Sequence, residues 1–212
     1  MKIKKVKIIN YLINPITIKQ LLNFILIQKK NKVGRYICVS SVHGCIESFF
    51  NKKFKIAHNM ANIAIPDGRP IFWALKLLDT NNAEHLPGYH VTEKICTLAI
   101  TNKLKLGFFG STDKTLNKLE KKLNKKYKNL SINYKFSPPF RKISIQEDKK
   151  IISKINQSKI DVLFVCLGCP KQELWMYEHK HKLKCTMIGV GAVVDFLSGN
   201  KILPNKFFEY IG

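Results

Sequence analysis

The sequence predicts an α/β fold: a mainly parallel, Rossmann-like sheet with helices on both faces, in a single compact unit spanning residues 1–212. Three observations predict it. Short apolar runs of strand length alternate with stretches of helical period along the chain. Runs such as 161–167 and 186–190 are apolar after their first residue, as buried strands are. Strands also end in turns rich in small residues, at Ser40-Ser41-Val42-His43-Gly44, Gly110-Ser111-Thr112 and Gly168-Cys169-Pro170. No internal repeat, low-complexity segment or linker divides the chain.

Taken in order, residues 5–9 fit a lysine-flanked edge strand, and Thr17 is placed to cap a helix to about residue 30. Residues 31–34 turn, and 36–41 form a buried strand. Val42, His43 and Gly44 break it, and 47–62 fit a helix. A short apolar run, 63–66, leads into Pro66-Asp67-Gly68 and then an apolar helical pattern to Leu78. Residues 79–87 are a polar loop and 91–102 a helix. The strand 105–109 feeds Gly110-Ser111-Thr112, which opens a lysine-rich helix to residue 126. Residues 130–136 alternate like a strand, Ser137-Pro138-Pro139-Phe140 is a rigid loop, and 145–157 is helical. The strand 161–167 is followed by a helix from 171 to about 182. The strand 186–190 ends at Gly191, and a short helix, 194–198, is stopped by Gly199.

The chain is 45% hydrophobic, enough for a sizeable core, and carries 37 Lys+Arg against 14 Asp+Glu, a net charge of +23. Dispersed lysine suggests anionic partners: membrane lipid, nucleic acid or phosphorylated substrates. The same lysines also fit solvated faces. No aromatic-basic recognition motif accompanies them, which argues against nucleic acid. No signal peptide opens the chain and no run is long enough to span a bilayer, so a reducing cytoplasm is expected.

Asp67 is the leading candidate for chemistry. It lies where a strand ends and a helix begins, the place where open α/β sheets bind ligands. There it serves either as a general base or as the N-cap of the helix that follows, caps being the commoner use. The small-residue turns can share one rim, where helix N-terminal amides bind phosphate and a nucleotide-sized cleft is plausible. None matches a Walker loop or the full dinucleotide fingerprint. Cys166 and Cys169 with His179, His181 and Cys185 have poor spacing for zinc and read as core cysteines and solvated histidines. No Asp-x-Asp motif suggests a divalent cation on a sugar diphosphate. Ser41 and His43 mimic a nucleophile–base pair but lack the elbow that serine hydrolases need. Trp73 and Trp175 are expected in the core.

At these residues the chain resembles the WecG/TagA/CpsF family of bacterial glycosyltransferases. The resemblance rests on Pro66-Asp67-Gly68 with Trp73-Ala74, on Gly110-Ser111 and on Ser137-Pro138-Pro139-Phe140. It rests further on the stretch from Val165 through Gly168-Cys169-Pro170-Lys171-Gln172-Glu173, and on Gly189-Val190-Gly191-Ala192 with Asp195-Phe196 and Gly199. It implies transfer of a hexose or N-acetylhexosamine, such as N-acetylmannosamine, from a UDP-sugar donor to a polyprenyl-diphosphate-linked sugar acceptor. The product would serve cell-surface polysaccharide or teichoic acid synthesis. It also implies work without metal or cofactor, peripherally on the inner face of the cytoplasmic membrane. The proposed base matches Asp67, and a pocket pair matches Ser41 and His43. Three departures stand out. His90 occupies the place of an aspartate after Gly88, Lys201-Ile202-Leu203-Pro204 replaces Arg-Ala-Pro, and an arginine-rich tail expected beyond Gly212 is not in this sequence.

The resulting expectation is a glycosyltransferase with Asp67 as base. Its substrate contacts would come from Ser41, His43, Gly68, Arg69, Gly88, His90, Gly110, Ser111, Gly168, Pro170, Lys171, Gln172, Glu173, Gly191 and Asp195. Glu173 also fits a charge at a helix start, and Asp195 fits equally a buried cap for backbone amides. The alternative function is a non-catalytic nucleotide-sugar-binding or assembly subunit; a basic nucleic-acid-associated protein is motivated by charge alone. A homo-oligomer is compatible with each. An anionic membrane surface is the expected peripheral partner, met by Lys201, Lys206, Phe207 and Phe208 unless the two phenylalanines close the core.

Overall fold

The computed structural model describes residues 4–78, 80 and 82–202. At the N-terminus β1 (Val6–Ile8) and β2 (Tyr11–Ile13) form an antiparallel hairpin. The strand expected at 5–9 therefore exists, but it pairs with β2 instead of forming an edge of the main sheet. The chain turns back because Ile9 takes a left-handed φ of 56°.

The hairpin is followed by α1 (Ile18–Asn31), β3 (Arg35–Ser40), α2 (Val42–Phe50), α3 (Lys52–Asn59), β4 (Ile63–Pro66), α4 (Arg69–Leu77) and α5 (Gly88–Asn102). The second half comprises β5 (Lys105–Gly110), α6 (Asp113–Lys126), β6 (Ser131–Phe136), α7 (Ile145–Gln157), β7 (Val162–Cys166), α8 (Lys171–His179), β8 (Thr186–Gly189) and α9 (Val193–Ser198). Among the described residues, β3 to β8 form one six-stranded sheet in the order β4-β3-β8-β7-β5-β6, with every neighbouring pair parallel.

Local sequence sets most boundaries. Thr17 and Gln20 make a reciprocal capping box at the start of α1, and Ser144 and Glu147 make another at α7. Thr112 caps α6, with Asp113 in its first turn and Lys125 and Lys126 in its last, each charge complementing the helix dipole. The single helix expected over 47–62 is two helices. Asn51 ends α2, and its Oδ1 accepts from Phe54 N–H to start α3. Val42, His43 and Gly44 do not break the chain but form the first turn of α2. Ser41 caps it, and glycine fits at 44 because the Tyr11 hydroxyl lies 2.3 Å from where a Cβ would stand.

Alternation along the strands divides the core into two layers. Ile37, Leu106, Phe108, Val162 and Phe164 face one layer, closed by α1, α5, α6 and α9. Tyr36, Cys38, Phe109, Leu163 and Val165 face the other, closed by the hairpin and by α2, α3, α4, α7 and α8. Phe108 and Phe164, register partners on β5 and β7, stack at 5.0 Å between centroids. Because α6 and α8 leave β5 and β7 for opposite faces, the carboxyl ends of these neighbouring strands are the topological switch point, where open α/β sheets bind ligands.

Candidate active site

A parallel sheet sends all its carboxyl ends to one rim, and backbone bonds join the rim turns here. Ser40 carbonyl accepts from Asp67 N–H at 3.1 Å and from Gly68 N–H at 3.4 Å. Ser111 N–H donates to Cys166 carbonyl at 3.2 Å, and Gly191 N–H to Val165 carbonyl at 3.4 Å. A Cβ on Gly68 would stand 3.7 Å from Ser41 Cα. One on Gly191 would stand 3.5 Å from Gln172 Oε1 and 3.8 Å from Gly168 Cα. The rim thus carries Ser41, His43, Gly68, Arg69, Gly110, Ser111, Gly168, Pro170, Lys171, Gln172, Glu173, Gly191 and Asp195, with Asp67 at its β4 end beside Ser41 and Gly68.

Asp67 is half-buried, and its Oδ1 accepts from the backbone N–H of Gly88 at 2.7 Å. Its carbonyl accepts from His85 Nε2, which carries the proton in that bond. The cap expected of Asp67 is therefore real but serves α5 and not α4. The N-cap of α4 is Gly68, with no side-chain cap, whereas α5 follows Pro87, which has no capping side chain. A Cβ on Gly88 would come within 3.2 Å of Val39 and Val193, so the helix start approaches the sheet closely. Burial pushes the Asp67 carboxyl above its ordinary pKa, and the Gly88 N–H pulls it partly back. Gly88 places the first turn of α5, with the exposed His90, beside this carboxylate.

Gln172 and Glu173 lie in the first turn of α8, and Glu173 is only 2% exposed. Gln172 Nε2 donates to Glu173 Oε1 at 2.9 Å. Among the described residues, Gln172 Oε1 and Glu173 Oε2 have no hydrogen-bond partner. Desolvation raises the Glu173 pKa, opposed by Gln172, by its own backbone, by Cys169 and by the charge of His43. Two buried orphan acceptors cost about 1–3 kcal/mol each, an expense that sites for polar ligands tolerate. Glu173 does occupy a helix start, as expected, but buried, not as a solvated charge. Lys171 is exposed beside it, after a cis Cys169–Pro170 peptide. Gly168 has open space around it and needs glycine for its φ of 79°. Gly110 needs it twice over, with φ 115° and the Cys166 backbone 2.6 Å from a Cβ position.

Other expectations are redistributed. Ser41 Oγ accepts from Gly44 N–H as the α2 cap. The Ser–His contact that forms is Ser40 Oγ to His58 Nε2 at 2.8 Å, in the interior, with Tyr11 stacked on the imidazole at 3.7 Å. Trp175 is in the core, packed on Phe109, but Trp73 is 44% exposed because it lies on the outer side of α4, opposite Ile71 and Leu75. Asp195 is half-buried in the first turn of α9, and its charge adds to burial in raising the Cys166 thiol. The six cysteines are free, with Cys169 half-buried and the others buried. Among the described residues no three His, Cys, Asp or Glu side chains are grouped to hold a metal. Lys201 is exposed, while Lys206, Phe207 and Phe208 lie outside the described residues.

Sequence reasoning missed His85, Ser40 and His58. His85 sits in a polar loop with no pattern of its own. Nothing along the chain ties residue 40 to residue 58.

Comparison with known proteins matches residues 6–212 to the model of the glycosyl transferase WecG/TagA/CpsF family. Similar curated proteins include the N-acetylglucosaminyldiphosphoundecaprenol N-acetyl-beta-D-mannosaminyltransferases of Staphylococcus aureus strains NCTC 8325 / PS 47 and COL. Each is 28% identical over 144 residues, covering 68% of this chain and 55% of the relative. The relative from strain MRSA252 matches with the same identity and coverage. The chain thus spans about half the length of the curated relatives it matches. With a matched model across almost its whole length and the motif-bearing turns gathered on one rim, this chain belongs to the WecG/TagA/CpsF family of glycosyl transferases.

Proposed function

We propose that the chain transfers a hexose or N-acetylhexosamine from a UDP-sugar to a polyprenyl-diphosphate-linked sugar, peripherally at the inner face of an anionic membrane, in cell-surface polysaccharide or teichoic acid synthesis. The observation that carries this reading is Asp67, a carboxylate of raised pKa fixed at the carboxyl rim of the sheet. Family membership and the names of the relatives support it, those names making N-acetylmannosamine the first sugar to test.

A raised pKa brings a carboxylate nearer to what a general base needs at neutral pH. The acceptor oxygen attacks the anomeric carbon while the bond from that carbon to the diphosphate breaks. UDP leaves with the electron pair, and the acceptor proton passes to Asp67. With Oδ1 engaged by Gly88, Oδ2 is assigned that proton. Lys171 and the turn amides around Ser111 and Gly168 offset the charge growing on the diphosphate, without metal. Gln172 Oε1 and Glu173 Oε2 are assigned to hydroxyl or amide donors of the nucleotide or sugar. The test is incubation with a panel of radiolabelled UDP-sugars and short-chain lipid-diphosphate acceptors. Label moving to the acceptor supports the reading; none with any pair sinks it. The capping bond of Asp67 also suits a non-catalytic nucleotide-sugar-binding subunit, which UDP binding without turnover would establish.

A further inference from the structure

Two helices begin side by side at the catalytic rim and leave apolar residues in solvent. On α2, Ile46 is 53% and Phe49 51% exposed, and Phe50 reaches 87%. On α4, Trp73 is 44% and Leu77 88% exposed. The starts of the helices touch: Val42 N lies 3.5 Å from where a Gly68 Cβ would stand, one residue from Asp67. Both pack on the same layer of the core through Cys45 on α2 and Ile71 and Leu75 on α4. Their exposed sides are therefore not needed by the fold. Ile46, Phe49 and Phe50 recur at i, i+3 and i+4, and Trp73 and Leu77 at i, i+4, so each helix presents a stripe and not scattered residues.

The fully exposed charges beside these stripes are cationic. Lys52 and Lys53 follow Phe50 in solvent, and Lys76 sits beside Leu77. Across residues 42–78 the acidic side chains are Glu47, bonded to Asn51, and Asp67, turned to Gly88. Apolar side chains that enter the headgroup boundary, bordered by lysines, are the signature of a helix face lying on anionic lipid.

We propose that the exposed faces of α2 and α4 are the surface by which this protein docks on an anionic bilayer. The proposal rests on the transferase reading above, because an acceptor on a polyprenyl diphosphate is held at the bilayer surface and the rim bearing Asp67 must meet it there. Phe49, Phe50, Trp73 and Leu77 enter the acyl boundary, and Lys52, Lys53 and Lys76 lie against lipid phosphates. The docking therefore sits beside the site.

Trp73 is a built-in reporter, since the other tryptophan, Trp175, is 8% exposed. With vesicles of phosphatidylglycerol and phosphatidylcholine, emission should shift to the blue and be quenched by bromine-labelled lipid. The Trp73→Phe variant should show neither effect. The double variant Phe49→Ser/Phe50→Ser should bind these vesicles roughly tenfold more weakly. Its melting temperature and its transfer to a short-chain, water-soluble acceptor should match wild type. Phe140→Ser, a change at another exposed phenylalanine, should bind as wild type. Unchanged Trp73 emission, full vesicle binding by the double variant, or no vesicle binding at all would overturn the docking face. So would sedimentation showing that the double variant only splits a dimer. Loss of vesicle binding in the double variant, with no turnover of any acceptor by wild type, would keep the docking face and sink the transferase reading. Turnover of the short-chain acceptor without docking would do the reverse.

Discussion

The carboxylate of Asp67 accepts a hydrogen bond from the N–H of Gly88 at 2.7 Å, so the turn after β4 caps a helix that starts 21 residues later. One side chain thereby fixes the start of α5 and points into the rim where the substrates are assigned. The two uses can be separated by substitution. Asp67→Asn keeps an oxygen for Gly88 and removes the base. Transfer should fall about 10²–10⁴-fold with little change in melting temperature. Asp67→Ala should also lose about 1 kcal/mol of stability through the missing cap. Wild-type turnover by the asparagine variant would leave Asp67 as a cap alone.

Glu173 gives a pH-dependent test. Burial raises its pKa in the folded state above the unfolded value, so the stability it contributes is full below the unfolded pKa and is lost as pH rises through the folded one. Glu173→Gln should therefore melt higher than wild type at pH 8, by roughly 2–4 °C for each kcal/mol removed. The gap should close as the pH drops toward the acid range. A gap that is constant with pH would show that Glu173 does not titrate with folding. Binding of UDP should weaken in the same variant if Glu173 Oε2 holds the nucleotide.

His58 works in the opposite direction. Its imidazole is buried under Tyr11 against Ser40, and burial lowers its pKa to about 3 from the ordinary 6.5. The unfolded chain takes up a proton as pH falls through 6.5, the folded chain only near 3, so stability declines across that window. His58→Gln, which can still bond Ser40, should flatten that decline in thermal melts taken from pH 7 to pH 4. An unchanged slope would move the acid sensitivity to other groups.

Chelation is the fourth test. The Cys166 thiol donates to Phe164 carbonyl, and its neighbours on the strand are packed in apolar layers. Treatment with a strong chelator should leave both transfer and melting temperature unchanged. Stoichiometric zinc in elemental analysis, lost together with activity, would refute the metal-free reading.

The parallel sheet was legible because its strands are nearly uninterrupted apolar runs and several of its helices carry side-chain caps. Thr17 caps where its position implies, Gly110-Ser111-Thr112 opens α6, and the motif-bearing turns fall on one rim because parallel strands share a direction. What escaped was non-local. The β2 strand is three residues long and has no period to display. Gly44 reads as a breaker until Tyr11, from the hairpin, takes the space of its missing side chain. The helix that Asp67 caps lies beyond a loop, and the outward face of α4 cannot be told from its inward face while the partner layer is unknown. Trp73 was placed in the core for that reason.

Asn14 follows the hairpin and imitates a strand against β4. Its backbone N–H donates to Ala64 carbonyl, and its side-chain oxygen accepts from Ala64 N–H, both at 2.8 Å. Ala64 would otherwise present an unsatisfied N–H and C=O on a flat, apolar border of the sheet. Such borders invite strand pairing between molecules and growth into aggregates. A single asparagine, following an eight-residue hairpin, thus serves as a guard against intermolecular β-pairing on the side of the sheet nearest Asp67.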